Sequence, residues 1–220
     1  MSPQLHPADK RIITIALIII GLVITAVVVE LYLEPQSSST APAADSLIIP
    51  PDHPRHLINF SLVDQNGNAV TRQSFKHKIL VVSFLFASCS VVCPYVSEQM
   101  GEIQRLTTND PDVSLLSLTV DPVDDTIPVL AKYAQKVGAD PARWSFVTGE
   151  EAVMQNLVCT SFLSHDTDTN VSFMPGNFAN SQRIVLVDTN GQIVNYFDGL
   201  NLNAAHAVVQ EIHRLRKSTP

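Results

Sequence analysis

The sequence predicts an α/β domain in which helices cover a central β-sheet. Residues 80–86 form a continuous apolar and β-branched run, which is typical of a buried strand. Apolar residues recur at helical spacing in residues 94–107 and 127–137, and residues 113–120 form a second apolar strand between these helices. Strands that alternate with helices in this way favour a sheet with helices packed on its faces.

The remaining elements extend this pattern at both ends. A central α/β unit flanked by β-hairpins predicts a thioredoxin-like fold with an added N-terminal β-hairpin. The predicted strands are residues 60–64, 69–71, 80–86, 113–120, 144–147, 183–188 and 192–197, and the predicted helices are residues 94–107, 127–137, 150–162 and 204–217.

An apolar segment near the N-terminus predicts one transmembrane helix. Residues 12–33 contain a single charged side chain, and a membrane-spanning helix needs about 20 mostly apolar residues. Lys10 and Arg11 precede the segment, so the positive-inside rule assigns residues 1–11 to a short cytoplasmic tail. The alternative is a cleaved secretory signal with a distant cleavage site at residues 41–44. We expect an uncleaved, single-pass anchor in the inner (plasma) membrane.

The rest of the chain is expected to divide into a linker and one domain. Residues 34–54 are rich in Ser, Pro and Ala and lack periodicity, which predicts a flexible linker. Residues 55–220 suffice for one domain with its own core, on the periplasmic side of the membrane. The chain carries 14 Lys and Arg against 21 Asp and Glu, a net charge of −7, and has no basic run. This charge pattern argues against a nucleic-acid partner.

Two of the three cysteines form the candidate site. Cys89 and Cys93 follow the buried strand and precede the helix at residues 94–107, and open α/β sheets hold their sites at this end of the strands. A helix N-terminus stabilises thiolate, the form that binds metals and attacks disulfides. Side chains at i and i+4 share one helix face, so both sulfurs can bind one soft metal ion or join in a disulfide. The third cysteine, Cys159, lies in an apolar run and is expected to be a buried, inert thiol.

An acidic cluster precedes the helix at residues 127–137. Asp121, Asp124 and Asp125 have the chemistry to bind a hard cation, but the cluster lacks the spaced oxygen donors of a calcium loop. Helix capping is therefore the preferred interpretation of these residues. The sequence contains no Ser-His-Asp order, phosphate-binding glycine loop or dinucleotide fingerprint.

Six motifs, taken together and in order, carry a family resemblance. They are residues 60–67, 86–94, 117–126, 144–149, 183–191 and 196–199. On these motifs the chain resembles the Sco/SenC family, membrane-anchored copper proteins with a thioredoxin-like fold. The resemblance covers nearly the whole predicted domain. It implies copper delivery to cytochrome c oxidase and thiol–disulfide exchange that prepares the acceptor's cysteines, with Cys89 and Cys93 as copper ligands and redox pair.

One position departs from the family pattern. The family's third copper ligand is a histidine just before the strand at residues 183–188, and Asn180 stands at that position. An amide oxygen is a hard, weak ligand for Cu(I), which prefers thiolate and imidazole. His165 is a substitute candidate for the third ligand, with a solvated loop histidine as the alternative interpretation. Met174 is a second soft donor in the same loop, although packing is its expected role.

We therefore expect a copper-binding protein that helps to assemble the copper centre of cytochrome c oxidase. Its expected partner is an oxidase subunit or another periplasmic copper or dithiol protein. The alternative is a periplasmic thiol–disulfide oxidoreductase that acts without copper, which the Cys89–Cys93 pair alone would permit. A peroxidase-like or redox-sensing protein is a third, more distant candidate. Whether the chain is an enzyme depends on which of these activities it performs.

Overall fold

The computed structural model describes residues 48–49, 55–162 and 182–218. These residues belong to one compact unit, residues 44–220. Within the described ranges, no helix is both long and apolar enough to cross a membrane. The predicted anchor at residues 12–33 lies outside these ranges and stays a prediction.

The described residues form one mixed β-sheet of nine strands, which are numbered in chain order. They are β1 (Ile48–Ile49), β2 (Arg55–His56), β3 (Ser61–Asp64), β4 (Ala69–Thr71), β5 (Ile79–Leu85), β6 (Val113–Thr119), β7 (Trp144–Thr148), β8 (Arg183–Val187) and β9 (Gln192–Asp198). The strand order across the sheet is β1-β9-β8-β5-β6-β7-β3-β4, and β2 also pairs with β9.

Four α-helices accompany this sheet in the described part of the chain, and a single 3₁₀ turn (Arg72–Phe75) precedes β5. The helices are α1 (Val92–Leu106), α2 (Ile127–Lys136), α3 (Glu151–Phe162) and α4 (Ala204–Ser218).

The two central strands, β5 and β6, are buried along their whole length. They run parallel, with Val82 opposite Leu116, and α1 makes the connection between them. On its other side β5 pairs with β8 in the antiparallel sense, so Val82 also lies opposite Val185. A strand that is covered on both faces needs apolar residues along most of its length. This requirement explains why β5 and β6 could be predicted from the sequence.

Each face of the sheet has its own apolar core. On one face, Leu85 of β5 shares a cluster with Val96 of α1 and Val208 of α4, and α2 joins the same cluster. On the other face, Val82 and neighbouring strand residues cluster with Leu157 of α3. The predicted α/β architecture, with a central sheet between helices, is confirmed.

The boundaries of the predicted elements agree with the structure to within two residues. The largest difference is the start of α1, which begins at Val92 rather than at residue 94. The strands β1 and β2 were not predicted. Ile48–Ile49 lies in the range predicted as linker, and it pairs with Phe197 and Tyr196 of β9.

Candidate functional site

The cysteine segment connects the central strand β5 to the helix α1. β5 ends at Leu85, and the backbone N–H of Cys89 donates to the carbonyl of Phe86 at 3.0 Å, which closes a turn. Cys93 is the second residue of α1 and is buried, whereas Cys89 is only partly covered. The two cysteines therefore occupy the predicted position between a central strand and the first turn of a helix.

The sulfur of Cys89 serves as a hydrogen-bond acceptor for the start of α1. The backbone N–H of Cys93 donates to Sγ of Cys89 at 3.2 Å. The capping residue Val91 provides no side-chain hydrogen bond to the helix, so this sulfur satisfies one of the free N–H groups of the first turn. All three cysteines are thiols rather than disulfides in this structure.

The surroundings make the two thiols chemically unequal. Burial raises the pKa of Cys89, but hydrogen bonds from the Cys93 side chain and from the backbone of Cys93, Val91 and Val92 outweigh it and lower the pKa overall. Burial, followed by the hydrogen bond with Cys89, raises the pKa of Cys93 to about 12. Cys89 is therefore the thiol that ionises readily, and Cys93 is held in the protonated form.

A buried carboxylate, Asp125, supports the cysteine segment from the neighbouring loop. Its oxygens accept hydrogen bonds from the backbone N–H of Ala87 and from the hydroxyl of Thr119. Burial is the largest of the effects that together raise the pKa of Asp125. The predicted capping role is wrong for this residue, because the N-cap of α2 is Thr126 and α2 receives no side-chain cap.

A second polar contact missed by the sequence analysis lies between α1 and α2. The hydroxyls of Ser97 and Tyr133 are 2.9 Å apart and both residues are buried. Burial raises the pKa of Tyr133 and outweighs the hydrogen bond with Ser97, which lowers it, so this phenol remains neutral beside the thiols.

An exposed apolar rim borders the cysteine segment. Val91 is 69% exposed and Tyr95 56% exposed, and together with Val92 and Leu200 they line a shallow cavity of about 210 Å³. These side chains place a small apolar surface next to the partly exposed Cys89.

The candidate third ligands cannot be compared with this geometry. Asn180, His165 and Met174 lie outside the described residues. In the described ranges, no group of three or more His, Cys, Asp or Glu side chains has the arrangement of a metal site. Within that part, Cys89 and Cys93 are the only predicted ligands that the structure brings together.

Gln182, the first described residue before β8, lies beside α1. The backbone N–H of Gly199 donates to the carbonyl of Gln182 at 2.7 Å, directly before β8. A Cβ atom on Gly199 would approach Val96 of α1 to 3.1 Å. Gln182, two residues after Asn180 in sequence, is thus held next to the helix that carries Cys93.

Cys159 lies apart from this pair. It sits on α3 and packs against the core on the opposite face of the sheet from Cys93. Its side chain is partly exposed, so the expectation of full burial is wrong. Burial nevertheless raises its pKa, which keeps the thiol protonated.

A comparison with protein-family models identifies the family of this chain. Residues 50–217 match the model of the family described as SCO1/SenC, which covers more than half of the chain. The chain belongs to the SCO1/SenC family. The match includes both cysteines of the site and extends through the closing helix α4.

Individual SCO1/SenC relatives are distant in sequence. The "SCO1 protein homolog" of Bacillus subtilis is 31% identical over 91 residues, which are 41% of this chain and 47% of that protein. The matched part of this chain therefore spans about half the length of that relative.

Solved SCO1/SenC structures share the thioredoxin-like fold. BsSco, described as a member of the Sco family of cytochrome c oxidase assembly proteins with a disulfide switch, has a TM-score of 0.66 at 21% identity and covers 78% of this chain and 99% of its own. ScoI of Bradyrhizobium japonicum with copper bound has a TM-score of 0.55 at 25% identity and covers 71% and 97%. The predicted thioredoxin-like fold is confirmed by these likenesses.

Proposed function

We propose that this chain binds copper through Cys89 and Cys93 and helps to assemble the copper centre of cytochrome c oxidase. The observation that carries the proposal is the placement of the two thiols at the N-terminus of α1, where the backbone N–H of Cys93 donates to Sγ of Cys89 at 3.2 Å. Membership in the SCO1/SenC family supports it, since the Bradyrhizobium japonicum relative has copper bound and BsSco is described as an oxidase assembly protein.

The donor chemistry fits a soft cation. Thiolates favour Cu(I) over hard cations, and the described part of the site offers two sulfurs. Cys89 ionises readily because its pKa is lowered, and the metal would displace the proton of Cys93, whose pKa is about 12. Copper affinity should therefore rise with pH.

A third copper ligand would complete the site formed by Cys89 and Cys93. By sequence, Asn180 stands at the position where the family resemblance expects a histidine, and an amide oxygen is a weak donor for Cu(I). With two protein thiolates and a weak or external third donor, the copper would exchange more easily than in a closed site. Easy exchange suits a protein that passes its metal to an acceptor.

Titration with Cu(I) tests the copper proposal. The reduced full chain in detergent is titrated anaerobically in competition with a weak Cu(I) chelator. We expect one equivalent to bind to the wild type, with strong losses of affinity in Cys89→Ser and Cys93→Ser and no loss in the control Cys159→Ser. Copper that remains on the chelator with the wild type would refute the proposal.

A second titration tests position 180. Asn180→His adds an imidazole nitrogen, a donor that Cu(II) accepts well together with thiolate. We expect this variant to form a stable Cu(II) complex with intense thiolate-to-metal absorption and the wild type to hold Cu(II) poorly. If the wild type already forms the coloured complex, another residue is the third ligand, and loss of the colour in His165→Ala would identify it.

A second candidate function is thiol–disulfide exchange without copper. It is favoured by the inequality of the two thiols, since Cys89 has a lowered pKa and Cys93 is a buried thiol. The Cys89 thiolate attacks a partner disulfide, one partner sulfur leaves as thiolate, and a mixed disulfide forms. Cys93 then attacks the Cys89 sulfur and loses its proton. The partner leaves as a dithiol and the chain becomes a Cys89–Cys93 disulfide.

A trapping variant tests this second function. Cys93→Ala should arrest exchange at the mixed disulfide and retain the partner on Cys89. Absence of a trapped dithiol protein, together with no reduction of a model disulfide by the wild type, would exclude this activity. Peroxide consumption that depends on Cys89 would instead favour the peroxidase-like candidate.

The proposed location is the inner membrane, with the domain on the periplasmic side. It rests on the apolar residues 12–33 and on the preceding Lys10 and Arg11. The expected partner is an oxidase subunit or another periplasmic copper or dithiol protein. Membrane fractions washed with carbonate at high pH should retain the native chain, and recovery in the soluble fraction would refute the anchor.

A further inference from the structure

A second cavity lies at the end of β5 opposite to the cysteine pair. It has a volume of about 390 Å³, which is within the range of small-molecule sites. Strand β5 spans seven residues between the cavity and the cysteine segment, so the two lie roughly 20 Å apart at about 3.3 Å per residue. The polar part of the lining consists of Arg72, Gln73, Lys76, His77, Lys78, Asp188, Thr189 and Asn190.

The charge of this lining is opposite to that of the whole chain. Arg72, Lys76 and Lys78 contribute three positive charges, whereas Asp188 is the single acid among the lining residues. The chain as a whole carries a net charge of −7. Three of its 14 Lys and Arg residues therefore converge on one cavity of an acidic protein, which concentrates a positive potential there.

The single acid does not neutralise these cations through ion pairs. Oδ1 of Asp188 accepts the backbone N–H groups of Asn190 at 2.9 Å and Gln192 at 2.7 Å, which closes the turn between β8 and β9. No salt bridge in the described part of the chain includes Lys76 or Lys78. The ammonium groups of these two lysines are therefore available to a ligand.

The backbone holds the basic residues in a defined arrangement. The guanidinium of Arg72 is fixed by a 2.9 Å hydrogen bond to the carbonyl of Asn190. Between Lys76 and Lys78, His77 adopts a left-handed conformation with φ of 60°, the one non-glycine residue in the described ranges with positive φ. Such a conformation is strained for a non-glycine residue, and strain of this kind is concentrated at ligand sites.

The base of the cavity is apolar. Leu57, Leu80 and Val187 are almost completely buried, and together with Phe75 they form the apolar part of the lining. A ligand that suits this lining has an anionic head for Arg72 and the lysines and a short apolar body for the base. Phosphate suits the rim better than a single carboxylate, because it offers more charge and more acceptor oxygens to several cations at once.

We propose that this cavity binds a phosphate group, carried either by a small phosphorylated molecule or by an anionic lipid headgroup. The proposal is independent of the cysteine site, because none of the lining residues belongs to the cysteine segment. The proposed ligand would bind at the end of the domain opposite to the cysteine pair.

Lysine labelling tests the proposal on the full chain in nanodiscs. The chain is reacted with a dilute amine-specific acylating reagent, and the modification of each lysine is followed by mass spectrometry. One arm adds inorganic pyrophosphate to phosphatidylcholine nanodiscs, and the other replaces part of the phosphatidylcholine by phosphatidylglycerol. Lys132 and Lys217, both exposed and outside the lining, serve as internal controls.

We expect protection of Lys76 and Lys78 and unchanged labelling of Lys132 and Lys217. Protection by pyrophosphate assigns a soluble phosphorylated ligand, and protection only by phosphatidylglycerol assigns the lipid headgroup. In calorimetry with the probe that protects, Lys76→Gln/Lys78→Gln should weaken binding by about tenfold or more, since two charged contacts are lost. The control Lys132→Gln/Lys217→Gln should bind as the wild type does. Protection in neither arm, or equal protection at all four lysines, would overturn the proposal.

Discussion

The carboxylate of Asp125 holds the backbone N–H of Ala87, at 3.0 Å from Oδ1 and 3.2 Å from Oδ2. Ala87 lies in the cysteine segment after β5, and Asp125 lies in the loop after the neighbouring strand β6. The contact joins the carboxyl ends of two parallel strands, so the conformation of the cysteine segment depends on the loop that precedes α2.

Removal of the Asp125 carboxylate should destabilise the domain. Asp125→Ala leaves the N–H of Ala87 and the hydroxyl of Thr119 without an acceptor, which costs about 1–3 kcal/mol of unfolding free energy. Urea denaturation of the full chain measures the loss. Asp124→Ala is the matched control, because Asp124 is exposed, and it should change the stability by less than about 0.5 kcal/mol. Equal effects of the two substitutions would contradict the role of Asp125.

The same residue should impose a pH dependence on stability. Burial raises the pKa of Asp125 above 3.8, its ordinary value, so the folded state binds this proton more tightly than the unfolded state does. The resulting stabilisation is complete below the ordinary pKa and is lost as the pH rises through the raised pKa. We expect the stability of the wild type relative to Asp125→Asn to fall over this interval. A difference that is constant with pH, or that grows as pH rises, would exclude the raised pKa.

Alkylation should distinguish the two site cysteines. The pKa of Cys89 is lowered and that of Cys93 is raised to about 12, so at neutral pH a larger fraction of Cys89 than of Cys93 is thiolate. Iodoacetamide at pH 7 should therefore modify Cys89 first, as mass spectrometry of the peptides would report. Cys159, whose pKa is raised, is the internal control and should react more slowly than Cys89. Preferential modification of Cys93 would contradict the assignment.

Glycine substitutions should show how tightly the end of β9 fits against α1. A Cβ atom on Gly199 would lie 2.7 Å from the backbone oxygen of Gln182, which cannot move as a side chain can. Gly199→Ala should therefore cost about 1–3 kcal/mol. Gly101→Ala is the control, since its nearest neighbour is at 4.0 Å and alanine favours the α1 helix by about 0.5–1 kcal/mol. Thermal unfolding compares the two, and a stable Gly199→Ala would show that the strand end is free to move.

A buried serine in β6 should stabilise the core through its side-chain hydrogen bonds. Oγ of Ser117 accepts the indole N–H of Trp144 at 2.9 Å and lies 2.8 Å from Oγ of Ser83. Ser117→Ala leaves the indole N–H unpaired at a cost of about 1–3 kcal/mol. Ser114→Ala in the same strand removes a hydroxyl that does not accept the indole N–H of Trp144 and should cost less. Denaturation midpoints of both variants test this, and equal midpoints would mean that Trp144 finds another acceptor.

The central strands and the location of the cysteines could be read from the sequence because local pattern determines both. β5 and β6 are buried on both faces and carry no charged side chain, with Ser and Thr as their polar residues, so their mainly apolar runs could be recognised as buried strands. Cys89 and Cys93 were placed correctly because they follow such a run directly. The start of α1 was placed late, because Pro94 was taken as the first helical residue, whereas it is the third.

Features that depend on distant residues could not be predicted in this way. Asp125 was expected to cap a helix, since nothing in the sequence indicates that Ala87, 38 residues earlier, has an N–H directed at it. The strands β1 and β2 have two residues each, which is too short for any periodicity, and they exist because β9 offers them an edge. The pKa difference between the cysteines likewise follows from the hydrogen bonds to Cys89 and the burial of Cys93, which their spacing in the sequence does not reveal.

Because β5 pairs with β8, the cysteine segment reaches its final conformation only late in the synthesis of the domain. Leu80 pairs with Val187, so the central strand receives one of its two neighbours only after about a hundred further residues have been synthesised. Until then one edge of β5 is open, and the core that buries Cys93 lacks Ile184, Phe197 and Val208. Both thiols are therefore open to solvent before β8, β9 and α4 are in place, whereas in the finished domain Cys93 is buried and Cys89 is partly exposed.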